Sequence, residues 1–91
     1  MEIELSDRFR RDVRQLPKSR RREVGDAINS LSDGFGKPHR HSGLGIRRLH
    51  RNYFECRAGL NLRLVFRVER SRIMLFAAGD HNQIRALLKS L

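Results

Sequence analysis

The sequence of 91 residues is poor in the features that mark secreted, disulfide-bonded or membrane-embedded proteins. It contains one cysteine, Cys56, so an intramolecular disulfide cannot form, and it contains no tryptophan. It has no apolar run of about 18 residues, the length that a transmembrane helix needs. Charged residues follow Met1 too closely for the apolar core of a secretory signal. These absences predict a single cytoplasmic domain, residues 1–91, with a small hydrophobic core.

Acidic residues are scarce, and so is lysine among the basic ones. Ten Asp and Glu stand against 20 Lys and Arg, which gives a net charge of +10, and 17 of the basic residues are arginine. Residues 33–91 hold 12 of the bases and only four of the acids. Because guanidinium groups make bidentate contacts with phosphate and stack on bases, this composition indicates a polyanionic partner such as nucleic acid. The plainer alternative is that the positive charge only keeps the protein soluble.

The clearest periodic pattern in the chain runs from Asn61 to Val68. Side chains alternate between the two faces of a strand, and here one face is wholly apolar. That face consists of Leu62, Leu64, Phe66 and Val68. The opposite face carries Arg63 and Arg67, so the strand is predicted to close a core on one side and to present two guanidinium groups on the other.

Shorter patterns on both sides of this strand predict an α+β fold in the order β-α-α-β-β-β-β-α. We expect a small antiparallel sheet of four to five strands, an N-terminal helical hairpin and a short C-terminal helix, with the helices packed mainly on one face. Pro17 ends the first helix near Leu16, the second runs to about Leu31, and Asp80 caps the last. A Gly-rich loop is expected over residues 32–45. The expected strands are residues 2–5, 46–50, 53–58, 61–69 and 71–78.

The four histidines are candidates for metal binding or proton transfer. His39 and His41 have the spacing that could begin a metal site, but no cysteine pair lies near them. We therefore predict neither a metal nor a cofactor. His81 follows Gly79 and Asp80, where a strand is expected to end and a helix to begin. An imidazole at such a junction can transfer a proton near neutral pH, whereas the plainer alternative is a locally capped helix residue.

Several arginines are expected near His81. Arg57 and Arg63 lie on adjacent predicted strands, and Arg85 follows His81 by one helical turn. Arginines with one proton-transfer group suit RNA cleavage without a metal, in which the ribose 2′-hydroxyl attacks the adjacent phosphorus. Guanidinium groups stabilise the charge on the phosphorane, and an acid protonates the departing 5′-oxygen. Phosphate binding without cleavage would use the same arginines.

Four segments of the chain resemble a known family. They are His41-Ser-Gly-Leu-Gly-Ile-Arg-Arg-Leu, Phe54-Glu-Cys-Arg-Ala-Gly, Leu62-Arg-Leu-Val-Phe and Gly79-Asp-His. Together with the helical hairpin, they resemble the RelE/ParE superfamily of toxins from bacterial toxin–antitoxin modules, over nearly the whole chain. The resemblance implies an antiparallel sheet with an N-terminal helical hairpin, and an antitoxin that wraps the toxin. For the RelE-like branch it implies cleavage of mRNA in the ribosomal A site.

The resemblance also implies site residues. Arg57 and Arg63 fall at or near strand positions that hold the scissile phosphate in the RelE branch. His81 matches the C-terminal histidine of the YafQ-type branch, which acts in proton transfer, and His41 resembles another histidine of that branch. The chain departs from the pattern at Leu87, where RelE has a tyrosine, and around Leu60 and Asn61, where the YafQ type has an acid. The predicted catalytic residues are His81, Arg63 and Arg57, and the predicted phosphate- or RNA-binding residues are Arg47, Arg48, Arg67, Arg85 and His41.

Three functions are compatible with these features. The favoured one is a ribosome-dependent mRNA endoribonuclease, held in check by a small antitoxin that is acidic where it touches the toxin. The second is a ParE-like inhibitor of DNA gyrase that hydrolyses nothing, and the third is an inactive module that only pairs with its antitoxin. We expect the antitoxin to place a helix or strand over a groove beside Arg63 and Arg67, where it would mask the positive charge.

Overall fold

The computed structural model describes residues 2–34 and 44–90, and the predicted order of helices and strands is confirmed in those two ranges. Its elements are β1 (Glu2–Leu5), α1 (Asp7–Arg14), α2 (Lys18–Gly34), β2 (Arg47–His50), β3 (Tyr53–Arg57), β4 (Arg63–Glu69), β5 (Arg72–Gly79) and α3 (His81–Leu88). In this part of the chain no helix has both the length and the apolar character to cross a membrane. Helix α2 continues to Gly34, so it includes three residues that the sequence assigned to the loop, whereas His39 and His41 lie outside the described residues.

The five strands form one sheet in the order β1-β5-β4-β3-β2. Strands β2 to β5 pair antiparallel, as expected, but β1 pairs parallel to β5, so the sheet is mixed rather than wholly antiparallel. The two helices of the hairpin lie between β1 and β2 in the sequence, and these two strands form the opposite edges of the sheet. Strands β4 and β5 therefore lie in the interior of the sheet, and the ends of these strands are held by neighbours on both sides.

The main hydrophobic core lies between the helical hairpin and one face of the sheet. Phe9 from α1 and Val24 and Leu31 from α2 are buried against this face. The apolar side of the Asn61 to Val68 pattern faces the same way, through Leu62, Leu64, Phe66 and Val68. Ser6 is the N-cap of helix α1, and its hydroxyl oxygen accepts a hydrogen bond from the Phe9 N–H at 3.0 Å.

Helix α3 packs on the opposite face of the sheet. Ile84 and Leu87 are buried there against Val65 of β4 and Ala77 of β5. The β4–β5 register shifts between Val65 and Phe66, which leaves Phe76 as an additional residue in β5. The prediction of helices on one face thus holds for α1 and α2, whereas α3 covers the arginine-bearing side of β4 in part.

Candidate phosphate-binding cleft

The strand register brings three of the predicted site residues to one end of the sheet. Arg57 of β3 is paired with Arg63 of β4, and Arg63 is paired in turn with Gly79 of β5. His81 follows Gly79 by two residues and is the first residue of α3. Paired residues of neighbouring strands project from the same face, so both guanidinium groups and the imidazole are supplied to the same edge region.

An open cleft of about 460 Å³ lies at this end of the sheet. Its lining residues are Arg57, Gly59, Leu60, Asn61, Leu62, Arg63 and His81. The two arginines give the cleft a positive potential, and His81 brings to it an imidazole, a group that can donate or accept a proton. The side chain of Leu60 is 79% exposed beside them, at the tip of the β3–β4 turn. The cleft can therefore hold an anion next to a proton donor or acceptor.

The β3–β4 turn is fixed from behind by helix α2. Gly59 has φ +99°, and a Cβ atom at this position would collide with the carboxylate of Glu23. Glu23 forms an ion pair with Arg20 at 2.9 Å, and the Arg20 guanidinium donates a hydrogen bond to the Leu60 carbonyl oxygen. Across the turn, the Ala58 N–H donates to the Leu62 carbonyl at 2.9 Å. These contacts keep the turn, and with it the wall of the cleft, at a set distance from α2.

The side chain of Arg57 packs over Gly45 and also lines the cleft. Its backbone N–H donates to the Leu44 carbonyl at 2.6 Å, which places the segment before β2 beside the end of β3. Its guanidinium lies over Gly45, where an added Cβ would come within 2.7 Å of the Arg57 Nε. Gly45 has φ +59°, so both its conformation and the close approach favour glycine. The Arg57 side chain remains exposed and able to contact a ligand.

His81 is presented by a rigid strand-to-helix junction. The Asp80 carboxylate accepts a hydrogen bond from the Gln83 N–H, and the Gln83 side chain accepts one from the Asp80 N–H, both at 2.8 Å. Two residues before Asp80, the Ala78 N–H donates to Asp12 of α1 at 3.0 Å. This capping box and the contact from α1 fix the backbone on both sides of His81, while its side chain is exposed.

Glu55 is a feature of this region that the sequence analysis did not select. It lies on β3 and is 3% exposed, and its Oε1 atom is 2.8 Å from Arg47 Nη2 and 3.5 Å from Arg63 Nη1. In the sequence, Glu55 stands out as the one acidic residue between Asp33 and Glu69, in a segment rich in arginine. Its place two residues before Arg57 puts Glu55 on the same face of a strand as Arg57, but does not indicate burial between two arginines.

Four of the remaining predicted site residues lie outside the cleft lining, and the fifth, His41, is not among the described residues. Arg47 contacts Glu55 from the edge strand β2, and the Arg48 Nε donates to the Arg51 carbonyl at 2.6 Å. Arg67 lies toward the other end of β4, where it forms an ion pair with Glu69 at 2.6 Å and lies over the Tyr53 ring. The fourth of these residues, Arg85, is exposed on α3.

Among the residues that the structure describes, no group of three or more His, Cys, Asp and Glu side chains is arranged to hold a metal ion. The polar groups that line the cleft and can contact a ligand are two guanidinium groups, one imidazole and the side chain of Asn61. This set suits the binding of a phosphate and the transfer of a proton to or from it.

Comparison with known proteins shows what this fold is similar to. No family model and no curated protein sequence matches the chain. Among solved structures, a chain of the RelB–RelE antitoxin–toxin complex from Methanococcus jannaschii is similar, with a TM-score of 0.73 and 17% identity, over 92% of this chain and 96% of that one. YafQ from Escherichia coli has a TM-score of 0.72 and 15% identity, over 91% and 96% of the two chains.

A third similar structure is a chain of the YoeB–YefM toxin–antitoxin complex from Staphylococcus aureus. It has a TM-score of 0.67 and 19% identity, over 89% of this chain and 97% of that one. At such identities the likeness shows the fold alone, and this fold is the one that the sequence analysis predicted. The alignment spans almost the full length of each chain.

Proposed function

We propose that this RelE/ParE-like chain is the toxin of a toxin–antitoxin module, and that it cleaves mRNA on the ribosome without a metal ion. The observation that carries the proposal is the meeting of Arg57, Arg63 and His81 in one cleft at the end of the sheet. The similar structures include toxins determined in complex with their antitoxins, which supports the same role here.

The cleft contains the groups that this reaction needs at the phosphate. Arg57 and Arg63 contact the non-bridging oxygens of the scissile phosphate and stabilise the additional negative charge that develops as the 2′-hydroxyl attacks. Protonated His81 donates its proton to the departing 5′-oxygen, and the proton of the 2′-hydroxyl passes to water. The products are a 2′,3′-cyclic phosphate on one fragment and a 5′-hydroxyl on the other.

Cleavage is tested by primer extension on an mRNA that is being translated. We expect His81→Ala to slow cleavage by about 100- to 10,000-fold, the usual contribution of a general acid, with an unchanged melting temperature. His50→Ala is the matched control, because His50 is an exposed histidine at the end of β2, outside the cleft lining. A His81→Ala protein that cleaves normally would reject the site assignment. Inhibition of gyrase supercoiling with intact mRNA would favour the ParE-like alternative.

The antitoxin is proposed to bind a second surface, the groove between α1 and α2. This groove has a volume of about 520 Å³, and its apolar floor is formed by Leu5, Phe9, Val13, Val24 and Ile28. Arg10, Arg14 and Arg21 surround that floor. A floor of this kind with a basic rim fits the apolar face of an acidic amphipathic helix, so we assign the groove to a helix of the antitoxin. A contact beside Arg63 and Arg67 stays a separate prediction.

A further inference from the structure

Glu55 is the one charged side chain that is buried among the described residues. It shares a face of the sheet with Arg57, because Glu55 and Arg57 are two positions apart on β3. Arg63, which is paired with Arg57, lies on this face as well. Glu55 does not line the cleft, however, so its carboxylate lies behind the arginines and does not reach a ligand.

A buried carboxylate is stable only where opposite charges offset its loss of hydration. Here the opposite charges are two arginines, one on each of the strands that flank β3. Arg47 contacts Glu55 Oε1 at 2.8 Å from the edge strand β2, and its side chain is 66% exposed. Arg63 contacts the same oxygen at 3.5 Å from the interior strand β4, and its side chain is 30% exposed. The carboxylate therefore joins one exposed arginine to one that lines the cleft.

The contact with Glu55 uses only part of the Arg63 guanidinium. An arginine has five N–H donors, and the contact is made through Nη1. Because the guanidinium is planar and rigid, an ion pair at one nitrogen restricts the positions of the others. With Nη1 3.5 Å from Glu55 Oε1, the other nitrogens remain for a ligand, on a side chain that also lines the cleft.

We propose that Glu55 is a positioning residue that orients Arg63 for the phosphate. Its effect on cleavage rests on the proposed function, whereas its effect on the orientation of Arg63 does not. Glu55 acts through Arg63 and transfers no proton itself, since its carboxylate is buried behind the guanidinium groups. A second consequence is that the edge strand β2 contributes to the site indirectly, because Arg47 offsets the charge of Glu55 from that strand.

The orientation of Arg63 is tested by NMR of the arginine side-chain N–H groups in the full chain. In the wild type we expect slow rotation and resolved Nη–H signals for Arg63, which become averaged in Glu55→Gln. Glu69→Gln is the matched control, because it removes the carboxylate partner of Arg67 at the far end of β4 and leaves Arg63 unaltered. Arg63 signals that are the same in Glu55→Gln and in the wild type would overturn the proposal.

The effect on cleavage is tested with a double-mutant cycle in single-turnover experiments. We expect Glu55→Gln to lower the cleavage rate by about a hundredfold, the effect of a misplaced catalytic group, and to change the RNA dissociation constant much less. Glu55→Asp should restore part of the rate, and Glu69→Gln should have none of these effects. If Glu55 acts through Arg63, the double variant Glu55→Gln/Arg63→Gln is no slower than Arg63→Gln alone.

Additive effects in this cycle would show that Glu55 acts independently of Arg63 and would overturn its role in the reaction. Glu55→Asp keeps the charge, so the cycle can be built on it if Glu55→Gln does not fold. A wild-type protein that cleaves no RNA under any condition would remove the proposed function. The NMR measurement would still decide whether Glu55 orients Arg63.

Discussion

Arg57 and Arg63 face each other directly across two neighbouring strands. Like charges in such a pair repel each other and destabilise a sheet. Glu55 offsets this repulsion for Arg63, and the Arg57 guanidinium is displaced over Gly45. A pair of this kind is costly for folding but favourable for binding a dianionic transition state, as is common for residues retained for function.

Cys56 occupies the strand position next to Glu55 and faces the main core. Burial, and secondarily the charge of Glu55, raises the pKa of its thiol from 9.0 to about 12. Since thiolates are the reactive species and each pKa unit lowers their fraction tenfold, we expect iodoacetamide to modify the folded chain at least about 1,000-fold more slowly than the unfolded chain. Similar rates with and without denaturant at pH 8 would contradict the burial of Cys56.

Some of the site was predictable from single residues, and some was not. Strand parity placed Arg63 and Arg67 on one face of β4, but four residues of strand separate them by about 13 Å, so one ligand group does not reach both. Arg63 and His81 belong to different elements, and only the register of β4 with β5 brings them together. Glu55 was missed because the sequence does not show which arginines surround a carboxylate.

At the scale of elements, the strands and helices were predictable because their patterns are local. The break at Pro17 and the alternation in β4 each depend on a few neighbouring residues. The parallel pairing of β1 with β5 was not predictable in this way, since the two strands are about 70 residues apart and either edge was open to β1. The position of α3 on the second face depends on Val65 and Ala77, which the strand pattern did not distinguish from exposed residues.

The groove between α1 and α2 gives a prediction at the same scale. We expect Arg21→Glu to weaken binding of the proposed antitoxin by roughly two- to fivefold in low salt, the effect of one exposed ion pair. Arg22→Glu is the matched control, because Arg22 is the next residue of α2, has the same charge and does not line the groove. Calorimetry at two salt concentrations measures both.

The difference between the variants should shrink in high salt, as screening weakens exposed ion pairs. Equal effects of Arg21→Glu and Arg22→Glu would show that only net charge matters and would remove the groove as the docking site. A loss of binding on Arg63→Glu with none on Arg21→Glu would place the antitoxin over the cleft instead, as the sequence analysis had expected.

For the molecule as a whole, the net charge of +10 already subtracts the carboxylates that form ion pairs with arginine. This surplus is spread over the molecule, because only two arginines of the described residues, Arg57 and Arg63, line the cleft. We therefore expect the salt dependence of RNA binding to report a few phosphate contacts near the cleft rather than the full net charge.

This expectation is tested with an RNA that carries 2′-O-methyl groups throughout and so lacks the nucleophile. The logarithm of its affinity should fall linearly with the logarithm of salt concentration, by about 0.7 for each neutralised phosphate. Arg63→Gln should reduce this slope by about 0.7, whereas Arg70→Gln, an exposed residue of the β4–β5 turn, should leave it unaltered. Equal slopes for both variants would place the RNA elsewhere.

The pairing of β1 with β5 also constrains the order in which the molecule folds. Strand β1 is made about 70 residues before its partner β5 and before the carbonyl of Phe76, which accepts a hydrogen bond from the Ser6 hydroxyl. Three further features also require β5 or the residues after it. These are the completed interior of the sheet, the junction that presents His81, and the packing of α3 on the second face. A growing chain that has not yet reached β5 and α3 therefore has no complete cleft, and the activity that we propose arises only once both are available to fold.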